Sequence, residues 1–204
     1  MAAVRARAVL LTGSNRGIGL ELVKQLLGAP RPPAWIFATC RDPEGPRAQE
    51  LRDLASKHPN VILVKLDVAN PSAITDAAKI VEGKLNGMGL NLLINNAGIY
   101  TPTASLETVD AEEMIRTYKT NAVGPMLMAQ AALNMLTKCQ ALTYGEAGIL
   151  CVALHPGWVK TDMGSQEADL TVDTSVRGLL SVLPILSEKH NGTLLNWEGK
   201  AIPW

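Results

Sequence analysis

The stretch Ala8-Val9-Leu10-Leu11-Thr12-Gly13-Ser14-Asn15-Arg16-Gly17-Ile18-Gly19 confines this chain to few folds. A short apolar run ends in a Gly-rich turn, and the turn leads into apolar residues at Ile18, Leu22, Val23 and Leu26, a 3.6-residue period. Strand, tight turn and amphipathic helix in that order open a parallel α/β sheet. Gly28 and the prolines at 30, 32 and 33 end the helix. The alternation then repeats. Residues 35–38, 61–66 and 90–94 are β-rich apolar runs, whereas 48–57 and the series Ile74, Ala78, Val81 and Leu85 are helical. The order β-α-β-α-β-α-β predicts an α/β fold with a doubly wound parallel sheet and right-handed crossovers. Further along, helices are predicted over 110–118, 122–144 (with Pro125 in its first turn) and 172–186. A strand is predicted over 149–154, and a final edge strand over 193–197. No linker composition interrupts the pattern, and 204 residues with 47% apolar content suit one domain over 1–204.

The Gly-rich turn also carries chemistry. A pyrophosphate needs backbone N–H groups within contact distance and the positive end of a helix dipole, and glycines let the main chain come that close. Between a strand and an amphipathic helix, Gly13, Gly17 and Gly19 therefore read as a nucleotide cradle. Charge then bears on the choice of nucleotide. A carboxylate at the end of the second strand suits the ribose hydroxyls of NAD, and arginine suits the 2′-phosphate of NADP. Here the strand runs into Thr39-Cys40-Arg41, and Arg16 sits inside the turn, so two guanidinium groups favour NADP; the adjacent Asp42 pulls the other way. Asp67-Val68, closing the third strand, has two physically reasonable uses, capping the next helix or bonding to adenine. Asn95-Asn96-Ala97-Gly98 closes the fourth strand with small residues that leave room for a flat cofactor and amides that can tie loops together.

Several function classes find no support. Formal net charge is zero and the basic residues are dispersed, so there is no electrostatic footprint for nucleic acid or an anionic membrane. The apolar runs fall short of a membrane span, and 8–11 is too short for a signal-peptide core. The three cysteines, Cys40, Cys139 and Cys151, fit neither a disulfide framework nor a zinc site, which makes a reducing, cytoplasmic setting the expectation and leaves no metal ligands to name. Asn191-Gly192-Thr193 matches a glycosylation sequon but reads as a turn.

In order along the chain, Thr12-Gly13-x-x-x-Gly17-x-Gly19, Asp67-Val68, Asn95-Asn96-Ala97-Gly98, Asn121 and Pro156-Gly157-x-Val159-x-Thr161 resemble the short-chain dehydrogenase/reductases. The wording of Thr39-Cys40-Arg41-Asp42-Pro43, of residues 155–163 and of Leu195-Asn196-Trp197-Glu198-Gly199 is similar to the sniffer and C-factor type of carbonyl reductase. The resemblance covers nearly the whole chain. It implies a Rossmann-type fold and NADP(H)-dependent reduction of a small-molecule carbonyl. It further implies that Gly13, Asn15, Arg16, Gly17, Ile18 and Gly19 surround the pyrophosphate, with Arg16 and Arg41 matching NADP-preferring members. Asp67 and Val68 would meet the adenine, and Asn95, Ala97 and Gly98 the adenine ribose. Val159 and Thr161 would hold the nicotinamide amide, with Pro156 and Gly157 also at the cofactor, and Asn121 would be the Asn of the catalytic tetrad, supporting a proton relay. A homodimer is compatible with the resemblance but is not fixed by the residues.

The pattern breaks at the chemistry. Such a reaction needs a Tyr to give the proton, a Lys one helical turn on to lower its pKa, and a Ser hydroxyl on the carbonyl oxygen. Four residues after Tyr100, Tyr118 and Tyr144 stand Ala104, Ala122 and Gly148, so Tyr-x-x-x-Lys is absent. A helix and a strand with their turns need about 30 residues or more, yet one helical stretch joins Asn121 to Ile149. Residues 124–131 look like the start of the family's first helix there, and 132–138 like the end of its second. A seam near Ala131 and Ala132 resembles an internal deletion that removes one strand–helix unit; gradual divergence is the alternative. The strand over 149–154 could then pair beside the fourth strand in the vacated place. Three other readings stay open: an enzyme with an unusual donor such as Tyr100, Tyr118 or water, a non-enzymatic NADP-binding or interaction protein, and a product without a stable fold.

Overall fold

The computed structural model describes residues 6–100, 110–131 and 148–202. Four parallel strands form the main sheet: β1 (Ala8–Thr12), β2 (Trp35–Cys40), β3 (Val61–Lys65) and β4 (Leu92–Ile94), in the order β3-β2-β1-β4. The helices between them are α1 (Gly17–Leu27), α2 (Gln49–Lys57) and α3 (Pro71–Leu85). Every residue of β1, and all of β2 after Trp35, is buried, as a parallel strand covered on both faces requires. The period of two sorts these side chains to the two faces. Val9, Leu11, Ile36 and Ala38 pack with Leu22, Val23 and Leu26 of α1, whereas Leu10, Phe37 and Val64 pack with Ile74, Ala77 and Val81 of α3. Asn70 caps α3 by accepting from Ser72 and Ala73 N–H, with Pro71 in the first turn.

Beyond β4 come α4 (Ala111–Tyr118, capped by Asp110), a π-turn over Lys119–Val123 and α5 (Gly124–Ala131). After residue 148 the chain forms β5 (Ala153–His155), α6 (Val172–Val182), β6 (Leu194–Asn196) and β7 (Ala201–Ile202). These last strands make a second sheet, β5-β6-β7, with β5 and β6 parallel and β7 antiparallel. Helix α6 places that sheet. Its Val176 and Leu180 enter the same core as Leu20, Leu22 and Val23 of α1. Among the described residues no helix is long and apolar enough to cross a membrane.

Three expectations need correcting. The strand expected over 149–154 is Ala153–His155, and among the described residues it pairs with β6 and not with β4. Burial of α6 on α1 fixes where the C-terminal strands stand, with β5 beside β6 and not beside β4. The strand near 193–197 is not an edge: β6 lies between β5 and β7, because Gly199 turns the chain back and lets Leu195 pair with Ala201. The helix expected over 172–186 stops at Val182 and tightens into a 3-10 turn, Leu183–Ile185, at Pro184. The helix expected over 122–144 is present as α5 to Ala131; its remainder, with Cys139 and Tyr144, lies outside the described residues.

Candidate active site

The carboxyl ends of β1 to β4 open onto a cleft whose floor is set by two hydroxyls and one amide. Thr12 Oγ1 accepts from the N–H groups of Asn96 and Ala97, each at 3.0 Å, which pins the end of β4 to the end of β1. Asn96 Nδ2 donates back to the carbonyls of Thr12 and Gly13, at 3.0 and 3.2 Å. Ser14, fully buried, donates to Leu11 O at 2.8 Å and accepts from Thr39 N–H at 3.2 Å, tying the turn to β2. A side chain at Gly19 would overlap the Gly13 carbonyl, and one at Gly13 would meet Ala97 Cα at 3.0 Å, so both must be glycine for the turn to close this tightly. Sequence reasoning singled out the glycines but passed over Thr12 and Ser14, although both stand inside the motif.

Helix α1 begins at this turn and, like α2, has no side-chain cap. Asn70, Asp110 and Thr171 cap α3, α4 and α6 with side-chain oxygens, but the N-cap of α1 is Arg16, in extended conformation and with no side-chain cap. The first N–H groups of α1 therefore present the positive end of the helix dipole to the cleft. Such a cradle fits a pyrophosphate.

Most of the expected residues meet in the cleft: Gly13, Asn15 to Gly19, Arg41, Asp67, Val68, Asn95 to Gly98, Asn121, Pro156 and Thr161 border it. Gly157 and Val159 do not. Gly157 is covered by Leu170 and Trp197, and Val159 is buried and bridged to Leu170. Asp67 does not cap α3, whose cap is Asn70; its Oδ1 instead accepts from Ala69 N–H at 3.0 Å in a local turn. The Asp42 carboxylate folds back against Gly45, while Arg41 makes no hydrogen bond or ion pair among the described residues. The competition expected from Asp42 is thereby reduced. Asn121 lies within the π-turn, and its amide is spent on Ile99, accepting from the N–H at 2.9 Å and donating to the carbonyl at 2.8 Å. Ser175, missed in the sequence, is buried and donates to Pro156 O at 2.7 Å, anchoring the loop over the cleft to α6.

The cleft is far larger than a cofactor needs. Its volume is about 2240 Å³, against roughly 300–1,000 Å³ for an ordinary ligand site. It has this size because the cofactor cleft runs on into a slot between Leu90–Ile94 on one side and Gly148–Leu154 on the other, down to Ala6 and Arg7 at the opposite end of the sheet. Tyr100 and Tyr118 are 59% and 66% exposed, and neither borders the cleft.

Comparison with known proteins agrees with this architecture. The profile of the short chain dehydrogenase family matches residues 7–137. An NADPH-bound carbonyl reductase from chicken fatty liver superposes with a TM-score of 0.94 at 46% identity, covering 98% of this chain and 100% of that one. The carbonyl reductase Sniffer of Drosophila melanogaster superposes with a TM-score of 0.92 at 34% identity, covering 97% and 99%. The short-chain dehydrogenase srdF of Neurospora crassa is 26% identical, with 100% of each chain covered. That alignment runs over 256 positions and takes in the 204 residues here, which leaves 52 positions at which this chain has no residue. By profile, fold and sequence, the chain belongs to the short chain dehydrogenase family.

Proposed function

We propose that this chain is an NADP(H)-binding form of a carbonyl-reducing dehydrogenase whose catalytic power has been lost with one strand–helix unit. The observation that carries the reading is the union of an intact cradle with an open slot. The uncapped start of α1, the closed Gly13–Gly19 turn and the unpartnered Arg41 suit a phosphorylated dinucleotide. Immediately beside them β4 and β5 fail to pair. The 52 unmatched positions in the alignment with the Neurospora relative support a missing segment of that size. The seam near Ala131 and Ala132 is where the sequence puts it.

In this reading Gly13, Asn15, Gly17, Ile18 and Gly19 hold the pyrophosphate, and Arg16 and Arg41 the 2′-phosphate. Asp67 and Val68 border the adenine, and Asn95, Ala97 and Gly98 its ribose. Pro156, Gly157, Val159 and Thr161 back the nicotinamide, Gly157 and Val159 from behind the loop. NADPH would supply a hydride to a small-molecule carbonyl. The chain's own residues would then have to give a proton to the carbonyl oxygen, and among the described residues neither Asn121 nor Tyr100 nor Tyr118 is placed to do so. Asn121 is not an acid near neutral pH, and both its amide atoms are engaged. Tyr100 and Tyr118 stand away from the cleft. All 204 residues serve one cofactor-binding domain, and a reducing, cytoplasmic setting suits Cys40 and Cys151, both unpaired.

Isothermal titration with NADPH and NADH tests the proposal. NADPH is expected to bind, more tightly than NADH. Arg41→Asp should narrow or reverse the preference by about 2 kcal/mol, since it removes a charge-assisted contact and adds a repulsive carboxylate. Equal binding of the two cofactors would contradict the role of the arginines, and binding of neither would contradict the preserved cradle.

A further inference from the structure

The two arginines assigned to the 2′-phosphate are not in the same state. Arg41 is unpartnered among the described residues. Arg16 is engaged across the mouth of the cleft, its Nη1 2.8 Å from Oδ2 of Asp162. Asp162 stands on the loop after β5, and several bonds fix that loop. Lys160 N–H donates to Leu170 O and Leu170 N–H to Trp158 O, at 2.9 and 3.0 Å. Gly164 N–H donates to Thr161 Oγ1 at 3.1 Å, and the loop is tethered to α6 through Ser175. Thr161 faces Gly17 directly, so the loop and the Gly-rich turn are neighbours and the ion pair spans the gap between them.

We infer that Asp162 is a specificity-determining residue that holds Arg16 away from the 2′-phosphate and so weakens the discrimination between NADPH and NADH. The inference rests on the proposed cofactor site. The Asp162 carboxylate engages Nη1 of Arg16 and holds the guanidinium toward the loop, so a phosphate at the adenosine end competes with it for the same side chain. NADH has no 2′-phosphate and leaves the pair undisturbed. Both partners are substantially exposed, with 45% of the Arg16 side chain and 80% of that of Asp162 open to solvent. The competition is therefore modest and sensitive to salt.

Titration of NADPH and NADH into the wild-type chain, Asp162→Asn, Arg16→Ala and the double variant tests this. Asp162→Asn should tighten NADPH by about two- to five-fold, the range of an exposed ion pair, and leave NADH unchanged. The gain should shrink as salt is raised, and in the Arg16→Ala background Asp162→Asn should have no effect on NADPH. An unchanged NADPH affinity in Asp162→Asn overturns the inference, as does an equal weakening of both cofactors, which would make the pair a closing strap. Failure of NADPH to bind the wild-type chain would instead overturn the cofactor site itself, and this inference with it.

Discussion

The two sheets of this molecule are built from similar sequence and end in different states. In β1 and β2 nearly every residue is buried, and each strand has a neighbour on both sides. β5 and β6 are three residues each, and apart from Leu195 their side chains are half-buried or exposed. β4, which faces the slot, is half-buried throughout. Burial on two faces needs a strand on either side and a helix above and below. On the proposed reading one strand–helix unit is missing, and the strands beside its place, β4 and β5, lack cover. The nucleotide half keeps its cradle because the cradle hangs on β1, β2 and β4 alone, through Thr12, Ser14 and Asn96. The half that should carry the chemistry has no such independence.

Core truncation in each sheet gives the largest expected contrast. Leu11→Ala, in the fully buried β1, should cost about 3–5 kcal/mol of unfolding free energy, and Leu154→Ala, in β5, about 1 kcal/mol. Denaturant unfolding of both variants measures the difference, and equal costs would mean that the C-terminal sheet is as well packed as the main one. Asn96→Ala sharpens the comparison at the cradle. It deprives the Thr12 and Gly13 carbonyls of their shared donor, which should lower stability by about 1–2 kcal/mol. Because the Gly13 turn loosens, NADPH affinity should fall several-fold as well, as titration can show. A loss of stability without a loss of affinity would detach the cradle from this amide.

The smallest effect concerns pH. Burial at the end of β2 pushes the Cys40 thiol above its ordinary value of 9.0, with the Asp42 charge adding to the rise and a backbone hydrogen bond at Asp42 opposing it. Above that ordinary value the unfolded chain gives up the proton while the folded chain keeps it, so stability should be level below it and decline as pH rises toward the folded value. The slope in that window is at most about 1.4 kcal/mol per pH unit. Cys40→Ala should flatten this limb in a series of melts at increasing pH, and an unaltered limb would assign it to other groups.

The legible part of the fold was the part whose signals are local. The Gly-rich turn, the 3.6-residue period of α1 and the continuous apolar run of 8–11 are written in neighbouring residues, and all stand where the pattern put them. Whether 149–154 joins β4 is decided elsewhere, by Val176 and Leu180 docking on α1, and no local pattern in the strand reports it. The cap of α3 fell to Asn70 rather than Asp67 because only Asn70 stands directly before Pro71, within reach of the Ser72 and Ala73 amides. Thr12 and Ser14 could have been found by asking which groups would satisfy the buried backbone of so tight a turn. Asp162 could not, because its partner Arg16 lies far away in the chain.

The central claim is that cofactor binding has outlived the chemistry, and a single fluorescence titration of NADPH addresses both halves. Bound reduced nicotinamide in an apolar cleft should brighten as protein is added, and the brightened signal should then hold steady when aldehydes, ketones and quinones are supplied. On the proposed reading the proton donor and the positioned hydroxyl are lost, which would cost several kcal/mol of transition-state stabilisation, hence orders of magnitude in rate. Brightening followed by no decay is the predicted result. Decay of the bound signal with a turnover near one per second, ordinary for an enzyme, would contradict the account, and Phe substitutions at Tyr100 and Tyr118 would then identify the donor.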